Sequence, residues 1–471
     1  MNRNNHLALL FIAVAAMHCK KMLVLDMPPG GIATEQVFNQ DTAAIAAVSH
    51  IYYVMAQGAQ FMQGAHTVSL GLLTDELRCV GVTATKADGE YFSGQVQPGN
   101  SVLATMWGDP YKAIVLANTV LEKLGQSTGV RTGLKLQLMG EAKFLRAYNY
   151  FMLVNLFGGV PKVIGLDFKE NARLPRASVA DIYELIIKDL VEASKQMEPF
   201  PAGGVKREPK RVRAYNTAAT ALLARVYLFR HNFDRAVLLA DELIRSGYYQ
   251  LAARQAAIGM ADSEETIWAL WPAIDGFGTG EARRFIPFTA GAMPAYAVSD
   301  NMMDGFETGD HRKAAWLRYF MQANEQGYYP VKYRQNKWPA EEAHCVMRLA
   351  EIWLIRAEAR AKLGRLEGDR GAVMDVNVIR SRAGLPPLPD GLTQYEVLVA
   401  IEQERRVELL AEGGHRWFDL KRMVNIQTYK YRLEEVMSSC KTGWRPYQSL
   451  LPVPAAELTL NPALVQNPGY E

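Results

Sequence analysis

The chain has 471 residues, of which 49% are hydrophobic and 21% charged, the balance of a folded protein with ample core material. Its 52 basic residues nearly match its 49 acidic ones, for a net charge of +3, so there is no electrostatic reason to expect nucleic acid as a partner. Four cysteines (Cys19, Cys79, Cys345 and Cys440) stand far apart without a C-x-x-C pair, which argues against a zinc site or a disulfide framework.

The N-terminus opens with a short basic stretch, "MNRNNH", followed by the 11-residue apolar run Leu7–Met17. That run is too short to span ~30 Å of hydrocarbon but fits the core of a signal peptide. A cysteine closes it, the pattern of a lipoprotein signal over residues 1–18, with Cys19 acylated as the first residue of the mature chain. Ala16, Met17 and His18 depart from the usual pattern of a leucine-like residue at −3 and a small one at −1. Cleavage elsewhere, giving a free exported protein, is the alternative. Several acyl chains on one cysteine satisfy the two-signal rule for stable anchoring. Residues 19–34 read as an extended tether, broken by Pro28-Pro29-Gly30-Gly31. No later segment reads as transmembrane.

Helical periodicity dominates the rest, residues 35–471, taken as one domain. Ile114, Ala117, Leu121 and Leu124 line one face of a helix. Ser178 and Asp181 form a capping-box pattern before a helix whose apolar side carries Ile182, Ile186, Leu190 and Met197. The stretch "LMGEAKFLRAYNYFMLVNLFGGVP" is apolar almost all round, which predicts a buried helix stopped by Gly158-Gly159 and Pro161. In 214–249, Leu223, Ala224, Tyr227, Phe233, Ala236 and Ala240 take the spacings of a tetratricopeptide helix pair. A looser pair is expected over 347–384. Such units bury their apolar faces only against neighbours, so several should stack.

The segment from about 268 to 340 differs. Residues 268–338 hold 14 aromatics, twice the 10% average of the chain, interleaved with Gly, Pro and Asn. This reads as a loop-rich insertion. Trp268 and Trp271 alternate as in a buried strand, and Trp107 and Trp353 lie in helical stretches, so these four are assigned to the core.

The densest charge lies in "ERRVELLAEGGHRWFDLKRM", residues 404–423. Glu412/His415 and Glu341/His344 are E-x-x-H pairs, half of a di-iron carboxylate pattern. Gly413-Gly414 interrupts the first pair, Pro339 precedes the second, and no matching helical glutamates stand out, so no metal or other cofactor is expected. Glu404 and Glu408 lie one helical turn apart among Arg405, Arg406, Arg416 and Arg422. A general acid needs surroundings that raise its pKa, and arginines do the reverse. The stretch therefore reads as an ionic brace between helices. No G-x-S-x-G, P-loop or Rossmann glycine pattern is present.

Several blocks together resemble the SusD/RagB family of surface glycan-binding lipoproteins: "CKKMLVLDMPPGG", "GEAKFLRAYNYFMLVNLFGGVP", "LAEIWLIRAEA", "IEQERRVELLAEGGHRWFDLKR" and "LPVPAAELTLNPALVQNPGY". The resemblance covers nearly the whole mature chain, but the 268–338 segment matches nothing in it. It implies an all-α fold of about four tetratricopeptide-type helix pairs supporting a less regular face. It also implies a non-enzymatic protein that captures oligosaccharides, or in some members peptides, as the lid of a SusC-like TonB-dependent transporter. The expected location is the outer membrane at the cell surface, held by lipid on Cys19. Sugars offer apolar C–H faces to aromatic rings and hydroxyl edges to polar side chains. The expected ligand-stacking rings are Tyr91 or Phe92, Phe277, Phe285, Tyr296, Tyr328 and Trp338, with Arg283, Asp300 and Asn301 as hydroxyl partners. Two other functions fit a helical exported chain: a glycosidase with two carboxylates across a cleft, and a repeat scaffold that binds protein.

Overall fold

A computed structural model describes residues 38–57, 61–81, 85–200, 211–273, 278–289, 291–322, 324–336 and 341–471. The expected signal peptide, the tether and Cys19 lie outside these residues, as do Phe277 and Trp338. The described chain is mainly helical. Helix α1 (Asp41–Gln57) and α2 (His66–Leu73) lead to strand β1 (Leu77–Cys79) and α3 (Lys86–Ser93). Two long helices follow, α4 (Ser101–Gln126) and α5 (Thr132–Phe157), then the single turn α6 (Phe168–Asn171), α7 (Val179–Gln196), α8 (Asn216–Phe229) and α9 (Phe233–Arg245).

Local chemistry sets several of these elements. The Ser178–Asp181 capping box is formed, with Asp181 N donating to Ser178 Oγ at 3.1 Å, and Ile182, Ile186, Leu190 and Met197 are buried as expected. Helix α5 is apolar on nearly every side and nearly every residue of its second half is buried. Gly140 on α5 sits where a β-carbon would meet Met197 Cγ at 2.6 Å, so glycine lets the end of α7 close against it. Helices pack in succession, α4 on α5, α5 on α7 and α8 on α9. Ala224 and Ala236 are fully buried in the last pair, consistent with a tetratricopeptide-type hairpin.

The aromatic-rich segment is less irregular than its composition implies. It carries the end of β2 (Thr266–Leu270), then α10 (Gly280–Phe285), β3 (Tyr296–Val298), α11 (Asp300–Met303), α12 (His311–Trp316) and the hairpin β4 (Leu317–Gln322) and β5 (Glu325–Pro330). Strand β6 (His344–Arg348) pairs antiparallel with β2. Trp268 on β2 is fully buried, with Phe144 and Tyr148 edge-on at 4.8 and 5.2 Å. The chain closes with α13 (Leu349–Lys362), α14 (Ala372–Arg382), α15 (Gln394–Glu408), α16 (His415–Arg422), α17 (Arg432–Cys440) and α18 (Ala455–Leu460).

Residues 404–423 form the end of α15, a loop and α16. Gly414 turns the chain at φ 73°, where a β-carbon would meet Leu70 Cδ1 at 2.3 Å. Glu408 is completely buried and accepts from Arg348 (2.5 Å), Arg312 (3.1 Å) and Arg382. Glu412 accepts from Arg348 (2.8 Å) and Lys332 (2.5 Å), and Glu404 from Arg312 (2.5 Å). Burial opposes ionisation of Glu408, but the guanidiniums of Arg382, Arg348 and Arg312 hold its carboxyl well below the usual range. The network ties α12, β6, α14 and α15 together, so the stretch is the brace its charges implied. Glu412 lies in the loop and His415 begins α16, so the two do not share a helix face. His344 sits on β6, with Nδ1 2.8 Å from Glu281 Oε1. Among the described residues no group of three or more His, Cys, Asp or Glu is placed to hold a metal ion.

Candidate ligand-binding face

The short β1–β3 ladder organises the irregular face. Cys79 pairs with Tyr296 and Leu77 with Val298, which joins the segment after α2 to the aromatic-rich region. Helix α3 begins with a capping box in which Asp88 N donates to Thr85 Oγ1. The same Asp88 carboxylate accepts from Tyr296 Oη at 3.1 Å, fixing α3 to β3. Helix α10 places Phe285 edge-to-face on Tyr296, with centroids 6.4 Å apart. On the other side β5 packs along β3. Arg78 on β1 donates to Glu325 Oε2 (3.1 Å) and to the Gln326 carbonyl (2.7 Å). Three elements, α3, α10 and β5, therefore converge on one ladder.

The expected ligand residues divide by burial. Three are corrected: Tyr91, Phe285 and Tyr296 are buried and form the floor of this face instead of a stacking surface. Tyr91 occupies the inner side of α3, its hydroxyl 3.5 Å from Met106 Sδ. Burial, with the nearby Asp88 carboxylate, pushes the Tyr296 phenol above its usual pKa. Phe92, one residue on, is 42% exposed, and the Lys441 ammonium lies 4.5 Å from its ring centre. Tyr328 is half-buried at 5.3 Å from the ring of Tyr319. Arg283 is half-buried, and Asp300 and Asn301 are exposed. Asn301 Oδ1 accepts from Arg406 (2.5 Å), which spends one of its acceptor positions on a side chain of the brace helix. Phe277 and Trp338 lie outside the described residues.

Sequence reasoning passed over other rings. Tyr319 on β4 is 47% exposed and Phe288, after α10, is 58% exposed. The signal for Tyr319 was present: in "LRYFMQ" a period of two puts Tyr319 and Met321 on one side of the strand and Phe320 on the other. Tyr319 Oη donates to Gln326 Oε1 across the hairpin at 2.9 Å, and the Lys313 ammonium lies 5.6 Å from the Tyr328 ring. Trp271, assigned to the core from sequence, packs against the small cluster of Ala261, Ala269 and Ala343 but is only partly buried. Strand β2 ends at Leu270, so the pairing that buries Trp268 does not reach Trp271, which keeps one part of its ring accessible. It lines a hollow of about 440 Å³ together with Tyr53, Ser49 and Arg213.

Comparison with known proteins agrees with this architecture. Residues 311–470 match the family described as the SusD family, and residues 71–228 match one described as starch-binding associating with outer membrane. SusD-like protein P25 of Formosa agariphila is 24% identical over the full length of both chains. The starch-binding protein SusD of Bacteroides thetaiotaomicron is 24% identical over 74% of this chain and 75% of its own. Among solved structures, a laminarin-binding SusD-like protein superposes with a TM-score of 0.74 at 25% identity, covering 92% of this chain and 100% of that one. A SusD superfamily protein from Bacteroides vulgatus gives 0.73 at 25% identity over the same shares. Two matched segments, full-length relatives and a mainly helical fold shared with solved members make the chain similar to the SusD family over most of its length.

Proposed function

We propose that the protein binds an oligosaccharide on the face built around the β1–β3 ladder and passes it to a SusC-like TonB-dependent transporter, without catalysing a reaction. The observation that carries this reading is the convergence of α3, α10 and the β4–β5 hairpin on the ladder, with Phe92, Phe288 and Tyr319 exposed on or beside these elements and Tyr328 partly so. Exposed rings can stack on sugar C–H faces, while Arg78, Glu325 and Asp300 stand near water to meet hydroxyls directly or through water. Relatives named for starch and laminarin binding support a carbohydrate ligand. The absence of catalysis is supported by the brace, where arginines hold the Glu408 and Glu412 carboxyls below their usual range, the opposite of what a general acid needs, and where Glu404, raised by burial, is itself bonded to Arg312 away from solvent. Attachment to the outer membrane is assigned to lipid on Cys19.

Calorimetry of the Phe92→Ala/Tyr319→Ala double variant with starch- and laminarin-derived oligosaccharides tests the ligand and the face together. Loss of two stacking rings predicts a drop in affinity of about tenfold or more. Equal affinity in the variant removes these rings from the site. Release of new reducing ends from any of the sugars would favour a glycosidase instead. For the partner, extraction of outer membranes in mild detergent should recover the protein with a large β-barrel, and recovery of the protein alone counts against the transporter role. Replacing Cys19 with serine should abolish fatty-acid labelling and membrane retention together.

A further inference from the structure

The hollow at the junction of α1 and the end of β2 has the chemistry of a sugar site but lies on different elements from the ladder face. Its volume, about 440 Å³, falls within the roughly 300–1,000 Å³ of small-molecule sites. Two partly exposed rings from separate elements border it, Tyr53 on α1 and Trp271 just past β2. Tyr53 is 44% exposed, and His50 stacks beside it at 6.1 Å. The base is apolar, with Leu270, Pro272 and Ala56 buried.

The polar edge is equally specific. Arg213 donates to Ser49 Oγ (2.7 Å) and to Glu141 Oε1 (2.8 Å), with its guanidinium 5.4 Å from the Tyr52 ring. A guanidinium carries five N–H groups, so donors remain beyond these two bonds. Tyr53 Oη accepts from Gln57 (2.7 Å), leaving its own hydrogen to donate. Glu141 is almost wholly buried and matches the charge of Arg213. Arg213 is the charged side chain of the lining, and Glu141, buried behind it, offsets that charge.

We infer that this hollow is a second saccharide subsite, taking a neutral sugar unit between Tyr53 and Trp271 with its hydroxyls toward Arg213, Ser49 and Tyr53 Oη. Rings on the rim satisfy the C–H faces, and a guanidinium whose charge Glu141 already offsets joins Ser49 and Tyr53 in meeting hydroxyls. The subsite rests on the glycan-binding reading and extends it. A ligand long enough to occupy both places, or two separate ones, would be held at two positions on the molecule.

The experiment uses the mature chain and three proteins: wild type, Tyr53→Ala/Trp271→Ala, and Phe92→Ala/Tyr319→Ala. The probes are neutral maltooligosaccharides and laminarin oligosaccharides of short and long chain length, with a sulfated and a uronate-containing oligosaccharide as charged counterparts. Intrinsic tryptophan fluorescence is recorded alongside calorimetry, because Trp271 is itself a reporter; Trp271→Phe keeps a flat ring and removes that signal. The expected result is a loss of about tenfold in affinity for the long neutral probe in the Tyr53/Trp271 variant. An unchanged melting temperature and loss of the fluorescence change in Trp271→Phe should accompany it. If the Tyr53/Trp271 variant binds like wild type while the Phe92/Tyr319 variant is impaired, the second subsite is overturned and the ladder-face reading stands. Tighter binding of the charged probes, lost in the Tyr53/Trp271 variant, overturns the neutral-ligand assignment. A wild-type chain that binds none of the probes overturns both.

Discussion

The ionic brace around Glu408 and the face around the β1–β3 ladder treat polar groups in opposite ways. In the brace, carboxylates and guanidiniums meet at hydrogen-bond distance away from water: Glu408, Arg348 and Arg312 are all essentially inaccessible. At the face, the comparable pair Arg78–Glu325 keeps both partners partly in solvent, and rings stand beside it. Paired charge withdrawn from water is costly to break, because removing one partner strands the other. Rings left in water contribute little to folding and are available to a ligand. The contrast assigns stability to one region and recognition to the other, although both draw on side chains that look alike in sequence.

The first way to break that contrast is Arg348→Met. It removes the cation shared by Glu265, Glu408 and Glu412, and the loss expected from urea unfolding is about 3–5 kcal/mol. A loss below about 1 kcal/mol would mean that the brace is not what holds these helices. Next is pH. Burial is the main cause that lowers the His415 imidazole from the usual 6.5 to about 4, so between those values the unfolded chain takes a proton that the native state does not. Stability contributed by neutral His415 is therefore complete above pH 6.5 and falls as pH drops toward 4, by up to about 2 kcal/mol once solvent at the edge of the ring is allowed for. The stability difference between wild type and His415→Gln, followed by unfolding across that window, should shrink in acid; a constant difference contradicts it.

Smaller effects sharpen the other side of the comparison. Tyr319→Ala should reduce glycan affinity by about 1 kcal/mol while moving the unfolding free energy by no more than about 0.5 kcal/mol. Tyr296→Phe should do the reverse. It keeps the buried ring and removes the hydrogen bond to Asp88, costing about 1 kcal/mol of stability and leaving affinity unchanged if α3 stays in place. An affinity loss for Tyr296→Phe without a stability change would put Tyr296 in contact with ligand.

The helical frame was legible because its signals are local. A capping box needs two residues three apart, and the all-round apolarity of α5 is visible within one stretch. The brace could be read from arginines crowding Glu404 and Glu408, since only pairing reconciles so much charge with helices that carry core residues. The face was legible only as a neighbourhood. Composition marked the aromatic-rich segment, but which rings reach water depends on partners distant in sequence. Tyr296 is buried because β3 pairs with β1 and Asp88 on α3 takes its hydroxyl; neither contact leaves a mark near residue 296. Trp271 stands three residues after Trp268 and past the end of β2, so strand alternation does not govern it, and it is only partly buried against Ala261, Ala269 and Ala343. For Tyr319 the signal is local, because the period of two in the hairpin strand turns it to the same side as Met321.

The most direct test of this division of labour follows binding and unfolding in one protein, Phe92→Ala/Tyr319→Ala, by oligosaccharide calorimetry and urea denaturation. The account predicts affinity weaker by about tenfold or more with the unfolding midpoint where wild type has it. Wild-type affinity, or binding lost only because the variant has unfolded, would contradict it.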